Sequence, residues 1–342
     1  MNPLGLTFIE FCRNLGVAAT PRSAIRQGYL AHLTGKGDGT GNGAYPVSRH
    51  VQEGDLTKFI QRAPDGLEIE SVIIPMWKKQ SRWTTLCVSS QVGCAMGCTF
   101  CETAQLGKLR SLSAAEIVGQ IVAARSDFSA KIDNVVFMGM GEPFDNFDEV
   151  VQAVRVMTDP LGMSLGMSRI TISTVGRVEG IRRLAALGWR RINLAVSLNA
   201  PNDEIRSRIM PINRVEPMAE LRAALLDYPL RTCQFFMIEY VLIPGVNDAC
   251  DHARQVADYL RGIKCCVNVI PYNPIRESPW PAPEERDVQQ FLGWLQEAGQ
   301  FSKKRETKGR SHMAACGQLG NRSLSRRHGA TIPLGITPAP AH

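Results

Sequence analysis

Between Thr84 and Pro271 the chain alternates six times between a short, β-branched apolar run and a longer helical pattern. The strand-like runs lie at 85–89, 134–139, 169–174, 191–198, 235–243 and 265–271, and helices are predicted over 113–126, 146–158, 177–187, 216–227, 249–261 and 284–298. Strands separated by helix-length segments pair in parallel, because the crossover carries the chain back to the end of the sheet where it started. Six such units fall short of the eight that close a barrel. The expected fold is therefore α/β, a partial (βα)6 TIM-like barrel left open. At 342 residues with 44% hydrophobic content, a sizeable core is within reach.

The flanks read differently. Residues 1–45 are expected to form a helical segment ending in a Gly-rich linker, and 46–83 a β-rich extension. The core would then span 84–320, with a last strand-like segment near 303–308. Residues 321–342, rich in Ser, Arg, Pro and Gly, read as a disordered tail. No apolar run approaches the roughly 20 residues that span a bilayer, and the N-terminus lacks the basic-then-apolar layout of a signal peptide. A soluble, cytoplasmic protein without membrane association is expected. Ten cysteines in that compartment would be reduced, which points to ligands or redox participants. The net charge of +7 permits a polyanionic partner. Its basic clusters are Arg182–Arg183, Arg190–Arg191, Lys303–Lys304–Arg305, Lys308–Arg310 and Arg322–Arg327, and each alone would serve as a solvated face.

Three of the cysteines stand in Cys94-Ala-Met-Gly-Cys98-Thr-Phe-Cys101. A three-thiolate site can wrap one face of a metal cluster and leave a coordination position open, as catalytic metal sites require. Gly93 and Gly97 allow the tight turns such a wrap needs. A zinc site missing its fourth ligand, or three buried thiols, would also account for the triplet. Chemistry in a parallel α/β barrel sits at the carboxyl ends of the strands. There the chain places the cysteine loop, Gly139-Met-Gly141-Glu142-Pro143, Ser173-Thr174, Ser197-Leu198-Asn199 and Pro271-Tyr-Asn273-Pro274. A turn or a helix cap would explain each one alone. Their common rim favours a site.

The cysteine spacing resembles the C-x3-C-x2-C signature of radical S-adenosylmethionine (SAM) enzymes. That resemblance implies a [4Fe–4S] cluster held by Cys94, Cys98 and Cys101, with SAM on the fourth iron. The stretch from Leu86 to Gln105 looks more narrowly like the radical SAM 23S rRNA adenine methyltransferases, the RlmN and Cfr family. Further matches run through Gly139–Pro143, Ala200–Arg206, Pro211–Asn213, Ile238–Val241 and Ala314–Leu319. The likeness extends from about Glu70 to Leu319. It implies a radical SAM barrel and SAM contacts from Gly141, Glu142, Ser173, Ser197, Leu198, Asn199 and Asn273. It also implies a reaction in two stages: Cys316 takes a methyl group from one SAM, and a radical made from a second SAM activates it for addition to an adenine ring carbon, C2 foremost. Glu70 then matches the proton acceptor, and Cys87 the thiol that releases the product by forming a Cys87–Cys316 disulfide. The implied partners are RNA (23S rRNA, with tRNA as a second candidate) and an electron donor such as flavodoxin or ferredoxin, the enzyme acting as a monomer. Asn199 stands where this family usually has His, the segment at Met76–Gln80 looks inserted, and Arg310–Met313 replaces a more acidic stretch. A C8-methylating or retargeted offshoot, or an iron–sulfur RNA-binding or redox protein without methyl transfer, are the alternatives.

Overall fold

The computed structural model describes residues 2–20, 23–35, 43–78, 80–306 and 313–324. The Gly-rich stretch over 36–42, Lys79, the 307–312 segment with Lys308 and Arg310, and the predicted tail beyond Leu324 lie outside them. In chain order the elements begin with α1 (Phe8–Asn14), α2 (Ala24–Thr34), β1 (Val47–Glu53), β2 (Leu56–Arg62), β3 (Glu68–Lys78), β4 (Ser81–Cys87) and β5 (Gln91–Val92). There follow α3 (Glu102–Gln105), β6 (Arg110–Ser111), α4 (Ala114–Phe128), β7 (Asn134–Phe137), α5 (Phe147–Thr158), β8 (Ile170–Thr174), α6 (Val178–Ala186) and β9 (Asn193–Ser197). The last are α7 (Asp203–Ile209), α8 (Met218–Asp227), β10 (Phe236–Leu242), α9 (Cys250–Leu260), β11 (Cys265–Pro271), α10 (Glu285–Glu297) and β12 (Ser302–Lys304). All six predicted strands and all six predicted helices are present. The short α7 was not signalled, since two turns are too few to show a helical period.

The chain divides into two compact units, the first made of Met1–Val92 and Arg110–Thr171. Its strands run in the order β1-β2-β3-β4-β7. Pairing is antiparallel as far as β4 and parallel between β4 and β7, where Thr85 lies opposite Asn134. The segment read as short extended pieces is thus three full antiparallel strands. Alternation along β3 sends Ser71 to one face and Glu70 with Val72 to the other. Helix α4, which starts with a capping box between Ser113 and Glu116, covers the Ser71 face. Ser71 Oγ donates to Gln120 Oε1 at 2.7 Å, and the Phe59 and Phe128 rings meet at 5.2 Å. At the N-terminus the Phe8 amide donates to Asp159 Oδ2 at 2.6 Å, and the Tyr29 hydroxyl donates to Leu6 O at 2.7 Å.

The second unit holds Gly93–Leu109 and Ile172–His342, with strand order β8-β9-β10-β11-β12. The pairings β9–β10, β10–β11 and β11–β12 are parallel. Leu194, Ala195, Val196, Ile238, Tyr240, Val267 and Val269 are buried, the continuous apolar run expected of strands covered on both faces. Tyr240 stacks on Phe291 of α10 at 5.2 Å. The predicted strand near 303–308 is realised as β12. Among the described residues no helix is long and apolar enough to cross a membrane.

Gln120 ties the end of β4 to α4: its Oε1 accepts from the Ser89 amide at 2.8 Å, and its Nε2 donates to Ser89 O at 2.9 Å. Gln120→Leu leaves buried backbone groups without these partners. Unfolding free energy should fall by roughly 2–4 kcal/mol in a urea titration.

Candidate active site

In the second unit the loop 93–101 is shaped by its glycines. Gly93 has φ 75°, and a Cβ there would lie 1.7 Å from Gly107 O, so the backbone closes on itself where no side chain fits. The Cys94 amide donates to Gly107 O at 3.1 Å, and the Thr99 amide to Ile209 O at 3.0 Å. Cys94 and Cys98 are buried among Met96, Phe100, Met210 and Tyr272, with Cys101 half-buried against the same cluster. Burial pushes the Cys101 thiol up, partly offset by hydrogen bonds from the Ala104 and Thr103 side. Among the described residues no three His, Cys, Asp or Glu side chains converge on one metal-ion position. An iron–sulfur cube does not require convergence, because each thiolate takes its own iron. Soft sulfur donors in an apolar, Met- and aromatic-lined cluster fit such a cube far better than a hard, oxygen-seeking cation.

The exposed Cys316 sits in a loop pinned to the residues just after Cys101. The Glu102 amide donates to Gly317 O at 2.7 Å, and Thr103 Oγ1 donates to Leu319 O at 2.6 Å. Asn273 Nδ2 donates to Cys316 O at 3.3 Å, and Gln318 Nε2 to Pro274 O at 3.0 Å. The fully buried Glu102 carboxylate receives Arg322 through Nε at 2.7 Å and Nη2 at 2.8 Å. Neither Glu102 nor Arg322 was singled out from sequence, though Glu102 directly follows a cluster cysteine.

The strand ends of this unit are held by side chains. Arg206, fully buried, donates through Nε to Leu198 O at 3.1 Å and through Nη2 to Ser197 O at 3.3 Å and to Val175 O. Ser197 and Leu198 therefore present their backbone inward to this guanidinium, while Ser173 stays half-buried on β8. Asn199 adopts φ 57°, a left-handed conformation that Asn tolerates. Its Oδ1 accepts from the Val241 amide at 2.9 Å, and its own carbonyl accepts from Asn247 Nδ2 at 2.7 Å. Asn at this position thus serves the backbone of the rim.

The first unit carries the other four candidates. Gly141, at φ 99°, approaches Gln91 so closely that a Cβ would lie 2.5 Å from Gln91 Cβ. The Glu142 amide donates to Gln91 Oε1 at 3.0 Å, and Glu142 Oε1 accepts from the Phe144 amide at 3.0 Å. Cys87 ends β4 as a buried thiol opposite Val72. Glu70 is buried, not a surface charge, and pairs with Lys58 Nζ at 2.7 Å. Sequence reading missed Lys58, although a lysine between Leu56 and Ile60, at strand spacing on an inward face, was a signal.

Residues 88–257 match the Radical SAM superfamily. The probable dual-specificity RNA methyltransferase RlmN 1 of Protochlamydia amoebophila is 46% identical over 289 residues, 84% of this chain and 80% of the relative. The dual-specificity RNA methyltransferase RlmN of Syntrophotalea carbinolica is 44% identical over 263 residues, 77% and 69% of the two chains. A crystal structure of a radical SAM methyltransferase from Sphaerobacter thermophilus superposes with a TM-score of 0.83 at 37% identity, covering 93% of this chain and 99% of that one. With the superfamily come its cofactors, a [4Fe–4S] cluster and SAM, and an enzyme's role in SAM-dependent methyl transfer. Likeness of this depth, over a chain that folds a three-thiol loop beneath a parallel sheet's rim, settles its membership: it belongs to the RlmN family of radical SAM RNA methyltransferases.

Proposed function

We propose that this chain methylates an adenine ring carbon, C2 foremost, in 23S rRNA, with tRNA as a second substrate. The observation that carries the reading is the attachment of the Cys316 loop to Glu102 and Thr103, next in sequence to Cys101. That attachment supports a methyl-accepting role for Cys316 close to the cysteines that would hold the cluster.

An adenine ring carbon is too poor a nucleophile to displace a methyl group from SAM. Cys316, exposed and flanked by Ala315 and Gly317, is placed to do so as a thiolate, releasing S-adenosylhomocysteine. Cys94, Cys98 and Cys101 would hold the cluster, whose chemistry when bound is to supply the electron that cleaves a second SAM to methionine and a 5′-deoxyadenosyl radical. Gly141, Glu142, Ser173, Ser197, Leu198, Asn199 and Asn273 would orient SAM, through backbone groups as much as side chains. Methyl-Cys316 would yield a hydrogen atom to the radical and bond through its carbon to the adenine. Glu70 would take the proton lost from the adduct, whose unpaired electron would return to the oxidised cluster. Cys87 would then attack the Cys316 sulfur, closing a disulfide as the carbon–sulfur bond breaks, and the released carbon would take up a proton to become the methyl group of the base. The target base must be unpaired or extruded to reach these groups. A cytoplasmic monomer reduced by flavodoxin or ferredoxin completes the reading.

Cys316→Ala should abolish product while leaving iron content unchanged, and Cys87→Ala should accumulate a protein–RNA crosslink visible on a denaturing gel. Normal turnover by Cys87→Ala would remove it from the release step. Nucleoside mass spectrometry of rRNA and tRNA would separate C2 from C8 methylation. Gly93→Ala, by contrast, should bring iron per chain after anaerobic reconstitution down to background, because the loop cannot close around an added Cβ.

A further inference from the structure

We infer that Lys58 is the positioning residue for Glu70, holding its carboxylate aimed for proton removal from the covalent adduct; the inference rests on the role proposed for Glu70.

The register of the first unit places these groups together. Lys58 of β2 lies opposite Val72 of β3, and Val72 opposite Cys87 of β4. Directly opposed residues point to the same face, so Lys58, Val72 and Cys87 form one row across three strands. Glu70 precedes Val72 by two residues and shares that face. The other face is identified by its contacts: Ser71 and Phe59 are opposed, and both meet α4 through Gln120 and Phe128. Glu70, Lys58 and Cys87 therefore face away from α4, on the side left for chemistry. Lys58 reaches diagonally to Glu70, Nζ to Oε2 at 2.7 Å. Its own strand position is two strands from Cys87, about 10 Å by sheet spacing.

The pair is buried, with 9% of the Lys58 side chain and 3% of the Glu70 side chain exposed. Neighbours on the same face are the buried Ile60 and Val72 and, two residues away on β3, Glu68, which pairs with Arg49 and Arg62. Taking two charges out of water into such surroundings gains little stability, and apolar replacements of buried ion pairs are often neutral or better. What the lysine does supply is a fixed partner that holds the carboxylate in one orientation. In the reaction, the proton passes to Glu70 while its C–H electron pair stays with the adduct, whose unpaired electron would return to the cluster. Lys58 gives up no proton; it keeps the acceptor oriented.

The test is a double-mutant cycle on the full-length holoenzyme with Lys58→Met, Glu70→Gln and the combined variant. Three quantities are read: iron content, methyl-Cys316 formation by intact mass, and yield of methylated adenosine. K58M should keep the first two, which do not use Glu70, and lose roughly a hundredfold in the third, the scale expected of a misplaced catalytic group. The K58M/E70Q chain should be no slower than E70Q alone, and Lys58→Arg should recover part of the yield. Wild-type yield from K58M, or a further loss when K58M is added to E70Q, overturns the inference. If E70Q itself turns over normally, the role proposed for Glu70 fails, a result distinct from an impaired E70Q beside a normal K58M. Should K58M not fold, Lys58→Gln, which keeps a hydrogen-bond donor without the charge, is judged by the same two comparisons.

Discussion

A parallel strand ends its hydrogen-bond ladder while still buried, and the backbone groups beyond that point need other partners. In this protein a few buried polar side chains supply them. Arg206 takes the carbonyls of Val175, Ser197 and Leu198, and Asn247 takes those of Asn199 and Val241 while accepting from the Ile243 amide. In the first unit Gln120 does the same for Ser89, and Asn146 for Ser90 and Leu112. Each donor is locked by several bonds, so the loops leaving the strands are fixed at their roots. A site made of loops can then be as rigid as one made of strands.

Burial sets Cys265 and Cys266 apart from Cys316. Cys265 is pushed up to about 11 by burial, and Cys266 is also raised, which keeps both inert as thiols. Cys12 is buried under the N-terminal helices. Cys316 is exposed, in a loop whose carbonyls rather than whose sulfur are engaged by Asn273 and Glu102. That division leaves the sulfur accessible while the backbone that carries it is held, the combination a carrier residue needs.

The α/β alternation was legible because each of the six strands runs four residues or more and every returning helix runs two and a half turns or more. The rim residues were legible for the same reason, since strand ends could be placed from the pattern. What the pattern could not show was which side chains close the rim. Glu102 and Arg322 act on each other across the chain, Arg322 reaching back 220 positions, and Arg206 folds back onto strand-end carbonyls that carry no side-chain signal. Asn199 illustrates the limit from the other side. Its position after β9 suggested a SAM contact, and its left-handed backbone and its bond to Val241 come from the way β9 turns away from the sheet.

The same distinction bears on the positive charge. Of the basic clusters in the sequence, Lys304 pairs with Glu285, Arg305 with Glu239, and Arg322 with Glu102 and Glu277. Arg305 and Glu239, joined further by Asn268, fasten β12 to the interior of the second unit. These charges are compensated within the fold and contribute little to a long-range field. Arg182, Arg183, Arg190 and Arg191 are exposed on and after α6. Arg322, by contrast, is held beside the loop that carries Cys316 by its pairing with the buried Glu102.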